Sequence, residues 1–131
     1  MNGRQQDMRT PLGRVLGYGS ARSGTEHFIQ QRLTAIANVP LTIGAVLIVI
    51  SLIGHNQVAV AQILGSTVVA IVMLLFIIST FYHMAIGMQV IIEDYVHEKR
   101  AKYALLILNR FFTIVVGFAA SYAILKLSFG V

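Results

Sequence analysis

Residues 81–99 read FYHMAIGMQVIIEDYVHEK, the end of a long apolar run and the charged segment that follows it. The run begins near Val58 and continues to Ile92, longer than the roughly 20 residues that cross a bilayer as a helix. Inside it sits an ionisable side chain, His83, and just beyond it stand Glu93, Asp94 and Tyr95. A run of this kind makes lipid the solvent of the segment. The imidazole is then the residue that needs a reason.

Composition extends the membrane reading to the whole chain. Of 131 residues, 56% are hydrophobic and 11% charged, against roughly 25% charged in soluble domains. Two further apolar blocks flank the first, Leu33–Gly54 and Tyr103–Phe129. The expected architecture is an all-α membrane protein with three transmembrane helices, spans at about 33–54, 60–92 and 103–129. The excess length of the second block is accommodated by tilt. Thr25 is a suitable N-cap for a helix opening EHFIQQR, and Pro40 removes one backbone bond and bends the first span. GHNQ, residues 54–57, is a short connection, and EDYVHEKRAK, residues 93–102, is a charged loop or helix end. Residues 1–24 read as an irregular cytoplasmic arm before a single domain over 25–131. With no cysteine, disulfides, thiolate metal sites and cysteine-ligated clusters are excluded. The N-terminus lacks the basic–apolar–small order of a signal peptide, so the spans themselves are expected to carry targeting.

The net charge of +5 is a matter of placement. Arg4, Arg9, Arg14, Arg22 and Arg32 precede the block that begins at Leu33, Lys99, Arg100 and Lys102 follow the one that ends at Ile92, and GHNQ carries no Lys or Arg. Basic residues concentrate on the cytoplasmic side. The expected topology is N-terminus cytoplasmic and C-terminus periplasmic, multi-pass in a bacterial inner membrane.

His83 lies about ten residues before the end of its span, or roughly 15 Å at the helical rise, within a hydrocarbon layer of about 30 Å. Two readings stand side by side. A neutral imidazole can simply bond a neighbouring helix, or it can ligate a haem iron. Ser79, His83, Gly87, Val90 and Asp94 share one helix face by their spacing. Gly87 leaves room for a flat macrocycle or for a closely packed helix. Tyr95 is an interfacial aromatic anchor or a hydroxyl donor to a carbonyl-bearing ligand at the rim.

HMAIGMQVIIEDYVHE resembles the signature of the smaller hydrophobic membrane-anchor subunit of succinate dehydrogenase (respiratory complex II), of the alphaproteobacterial and mitochondrial type. The match rests on His83, Gly87, Asp94, Tyr95, Val96 and His97, with a weaker one in HFIQQR at His27 and Arg32. The resemblance implies half of a heterodimeric helical bundle that shares one haem b with a second anchor subunit of the cytochrome b556 type. It implies His83 as an axial ligand of the haem iron and Tyr95 as hydrogen-bond donor to ubiquinone, with Asp94 in the lining of the quinone pocket. Arg32 falls near the haem propionates or the quinone pocket, and His27 near the propionates. Glu26 is a departure, because some bacterial members carry the histidine at that place. The implied partners are the iron–sulfur and flavoprotein subunits, where succinate oxidation occurs; this chain is no enzyme by itself.

Competing readings are a fumarate reductase anchor, a purely structural assembly protein, and a small transporter or channel subunit with His83 as proton relay. His55 reads as solvated, His97 as exposed or partner-facing, Arg110 as a snorkelling side chain and Lys126 as an interfacial anchor. Tyr103 and Tyr122 fit aromatic belts, and Met73, Met84 and Met88 fit apolar packing.

Overall fold

Three long stretches without a strong turn signal become three long helices in the computed structural model, which describes Thr10 and residues 22–130. The described helices are α1 (Arg22–Ser51), α2 (Gln57–Gly65), α3 (Thr67–Tyr95) and α4 (Lys99–Phe129). Helices α1, α3 and α4 have the length and hydropathy of membrane spans. At 1.5 Å per residue each is about 45 Å long, well beyond a hydrocarbon core of about 30 Å. Most of the expected N-terminal arm lies outside the described residues.

Three boundaries differ from the sequence reading. Helix α1 begins at Arg22, so Thr25 lies inside its first turns and is not the N-cap. It ends at Ser51, and Leu52–Gly54 form a turn closed by Gly54 at φ 82°, a left-handed conformation that suits glycine. The segment expected as one helix over 60–92 is divided at Ser66, whose backbone is extended (φ −66°, ψ 140°). Ser66 Oγ donates to the Ile63 carbonyl at 2.8 Å, satisfying an orphan acceptor of the helix end. The division seats α2 against the end of α4, where Gly65 approaches the Leu127 backbone. Asn56 is the N-cap of helix α2, and its side chain accepts from the Ala59 N–H at 2.9 Å. Pro40 sits within an uninterrupted α1, although its missing N–H leaves the Ile36 carbonyl without its i+4 donor.

Both α1 and α4 pack on α3 and not on each other, so the described helices form an open layer centred on α3. The less exposed residues of α1 recur at 27, 30, 31, 34, 37, 38, 41, 44, 45 and 48, the three-and-four spacing of one helix face. Those of α4 beyond its first turn recur at 106, 109, 113, 117, 120, 121, 124 and 128. Small and polar residues dominate both seams. Gly44 lets α1 approach Val72, and Gly117 lets α4 approach Phe81. Close backbone approach of this sort holds helices together where lipid supplies no hydrophobic drive between them. Large apolar side chains such as Ile36, Leu47, Phe111 and Phe118 face outward, as lipid or another chain requires.

Candidate functional site

The site is built where the N-terminal half of α1 lies beside the C-terminal half of α3. Two side-chain bonds join these helices. Tyr82 Oη donates to Gln30 Oε1 at 2.9 Å. His83 Nδ1 lies 3.0 Å from Thr34 Oγ1. The His83 ring is part-buried, and its Nε2 makes no hydrogen bond among the described residues. One ring nitrogen is therefore held by the neighbouring helix and the other is unengaged. On the far side of α3, Asn109 Nδ2 of α4 donates to the Ala85 carbonyl at 3.0 Å. His83 thus sits on a helix cross-tied to both neighbours.

Toward the end of α3, a cavity of about 510 Å³ opens between α1 and α3, lined by Gly24, His27, Phe28, Gln31, Ile86, Gly87, Val90 and Glu93. It collects the expected His27 and the Gly87–Val90 part of the expected face. It does not include Asp94: Glu93, itself exposed, is the acid that lines it, three residues beyond Val90, whereas Asp94 and Tyr95, exposed at the helix end, do not. Tyr95 is 78% exposed. Its carbonyl lies 3.1 Å from His97 Nδ1. Arg32 is exposed and stacks on Phe28, 4.8 Å from the ring centroid, a cation–π contact. It does not line the cavity, but its partner ring does.

Several buried polar atoms near the site have no partner. Gln31 Oε1 is enclosed and unbonded, as are Asn38 Oδ1, Ser79 Oγ and Thr80 Oγ1. Such atoms are costly in a membrane interior unless something engages them. A Cβ added at Gly87 would stand 3.4 Å from Gln31 Nε2, so Gly87 and Gln31 meet across the seam. No group of three His, Asp or Glu side chains suited to a metal ion exists among the described residues. A metal held at His83 takes its other ligands from outside that set.

The remaining candidates lie apart. His55 and His97 are exposed, Lys126 is exposed near the end of α4, and Arg110 borders a separate cavity of about 290 Å³ with Asn109 and Gln89. Met84 and Met88 line an apolar groove between α3 and α4. Lys102 Nζ donates to the Glu93 carbonyl at 2.8 Å, capping α3 from the start of α4. Sequence reasoning did not pick out Thr34, Gln31 or Asn109, and it named Glu93 without giving it a role in the site. For α1 the signal was present as a polar stripe, Gln31, Thr34 and Asn38, spaced as one face within an apolar helix.

A family model described as succinate dehydrogenase/fumarate reductase transmembrane subunit matches residues 6–117. Three curated proteins named succinate dehydrogenase hydrophobic membrane anchor subunit are similar to the chain. That of Rickettsia bellii (strain RML369-C) is 29% identical over 109 residues, covering 83% of this chain and 87% of the relative. That of Paracoccus denitrificans is 29% identical over 125 residues, covering 92% and 93%. That of Rickettsia conorii (strain ATCC VR-613 / Malish 7) is 25% identical over 111 residues, covering 83% and 87%. No solved structure matches the chain significantly.

Proposed function

Because this chain belongs to the family of succinate dehydrogenase/fumarate reductase transmembrane subunits and is a multi-pass membrane protein, we propose that it is the hydrophobic membrane anchor of a succinate dehydrogenase. In this reading it is a non-catalytic subunit that holds the flavoprotein and iron–sulfur subunits at a bacterial cytoplasmic membrane. The names of the three relatives favour succinate dehydrogenase over fumarate reductase. Family membership sets aside the transporter reading of His83. With the second anchor subunit the chain shares a haem b, and it contributes to the site of ubiquinone reduction. The basic residues at the start of α1 and just after α3, Arg32, Lys99, Arg100 and Lys102 among them, support a cytoplasmic position for that end and a periplasmic C-terminus.

One observation carries the reading: His83 is tied through one nitrogen to α1, while the other has no partner among the described residues. A neutral imidazole with one free nitrogen is the donor that a haem iron takes. The surrounding residues suit that group. Gly87 presents no side chain one turn along, and the unpartnered Ser79 Oγ stands one turn before. When bound, the haem supplies a one-electron carrier in the membrane interior.

Ubiquinone takes up two electrons and two protons, and succinate oxidation on the soluble subunits releases two of each. The chain's own part is positioning and polarisation. Tyr95, about 18 Å along the axis from His83 by the helical rise, donates its phenolic hydrogen to a quinone carbonyl. Its exposure at the end of α3 suits a site completed by other subunits. Asp94 beside it adds polar lining. Arg32 and His27, on α1 at the same end, serve the propionates or the pocket wall. The guanidinium of Arg32 has no polar partner among the described residues and is available to a carboxylate.

The test is the haem spectrum of the purified complex. His83→Ala is expected to abolish the six-coordinate b-type spectrum while succinate-dependent dye reduction by the soluble subunits persists. An unchanged spectrum in that variant overturns the ligand assignment.

A further inference from the structure

We propose that Thr34 is the positioning residue of His83: its hydroxyl oxygen accepts the Nδ1 proton and so leaves Nε2 as the nitrogen that meets a haem iron. The inference rests on the haem-ligand reading above. A hydroxyl has one proton and two acceptor lone pairs. Two carbonyls of its own helix lie within reach of that proton, Gln30 at 2.8 Å and Gln31 at 3.1 Å, the usual back-bonding of a helical threonine. With that proton given to Gln30, His83 Nδ1, at 3.0 Å, faces a lone pair, and the contact is then a hydrogen bond when the ring nitrogen donates. A neutral imidazole carries one N–H. With that proton on Nδ1, Nε2 is left with its lone pair.

The arrangement has the form of a metal-binding histidine that donates its other N–H to an acceptor, which fixes tautomer, ring orientation and basicity. The acceptor here is an uncharged hydroxyl and not a carboxylate. The bond to Gln30 also holds the threonine rotamer. Because Thr34 is on α1 and His83 on α3, ligand orientation depends on how these two helices are aligned.

The experiment compares Thr34→Val, which keeps the shape and removes the acceptor, with Thr34→Ser, which keeps the hydroxyl. Each is measured in the purified complex by redox titration of the haem and by low-temperature electron paramagnetic resonance of its ferric form. Loss of the acceptor makes the imidazole a weaker donor to ferric iron. Thr34→Val is expected to shift the reduction equilibrium about tenfold toward reduced haem, or about 59 mV upward for one electron, and to alter the low-spin g values. Thr34→Ser is expected to match the unaltered complex. Unchanged potential and g values in Thr34→Val overturn the inference, as does a Thr34→Ser complex shifted as far as Thr34→Val. If Thr34→Val does not assemble, Thr34→Ala takes its place. Failure of both with normal Thr34→Ser supports the hydroxyl's role, whereas failure of Thr34→Ser as well shows a packing position and overturns it. His83→Ala in parallel separates the two readings. Haem retained there defeats the ligand assignment, whereas haem lost there with Thr34→Val unchanged defeats only the role of Thr34.

Discussion

Gly65→Ala isolates the contact that divides the second apolar block. A Cβ at Gly65 would lie 2.5 Å from the Leu127 carbonyl oxygen, 3.1 Å from its carbon and 3.6 Å from Ser128 Cα. Ordinary contact is roughly 3.5 Å, so α2 and the end of α4 must part by about 1 Å. The obstructing atoms are backbone and cannot rotate away. Overpacking of this kind costs about 1–3 kcal/mol, and the helix-propensity gain of alanine over glycine, at most about 1 kcal/mol, is smallest at a helix end. The net is a loss of roughly 2 kcal/mol, about 30-fold in the opening equilibrium of α2. Amide hydrogen exchange of the complex, followed by mass spectrometry over residues 57–65, should accelerate by that factor. Gly44→Ala is the control: its Cβ meets only the Val72 side chain at 3.4 Å, and exchange in α2 should not change. Equal exchange rates in Gly65→Ala and the unaltered chain would show that α2 is not seated on the α4 backbone.

Three further outcomes follow from single groups. Tyr95→Phe is expected to lower succinate–ubiquinone turnover several-fold, the loss of one hydrogen bond worth about 0.5–1.5 kcal/mol, with dye reduction by succinate unchanged; equal loss of both activities would remove Tyr95 from the quinone site. Asn109→Leu should weaken the α3–α4 seam by about 0.6 kcal/mol, the usual worth of a side-chain bond between membrane helices, read as faster exchange around Ala85; no change would show that its bond to the Ala85 carbonyl adds nothing. Asn56→Ala removes the α2 cap and should destabilise that helix by about 1 kcal/mol, seen as fraying at 57–60 in the same exchange experiment and absent if water replaces the cap freely.

Much of the helical layout was legible because hydropathy and length are local sums. Each long block exceeded what a bilayer needs, and the helices long enough to span match those blocks in number. His83 stood out for the same reason, since an ionisable side chain in an apolar run is visible without any neighbour. Boundaries were less legible. Thr25 looked like a cap because threonine favours that position, yet α1 begins at Arg22, in a stretch whose residues permit helix without demanding it. Gly65, Ser66 and Thr67 carried a break signal in their types, but the apolar run on either side outweighed it in a reading of span length. The break brings Gly65 against Leu127, more than sixty positions away, a contact that no local reading contains.

The sequence by itself determined that this chain lives in lipid as three apolar helices, and that one histidine and one acidic–tyrosine pair were the residues to watch. Only the tertiary structure decided that Thr34 meets His83, that Glu93 and not Asp94 lines the cavity with His27, and that α3 is the helix packed on both sides. The physical reason is register. Helical spacing tells which residues of one helix share a face, but which residue of a second helix lies opposite depends on axial offset and rotation, set by the glycines and polar side chains along the whole seam.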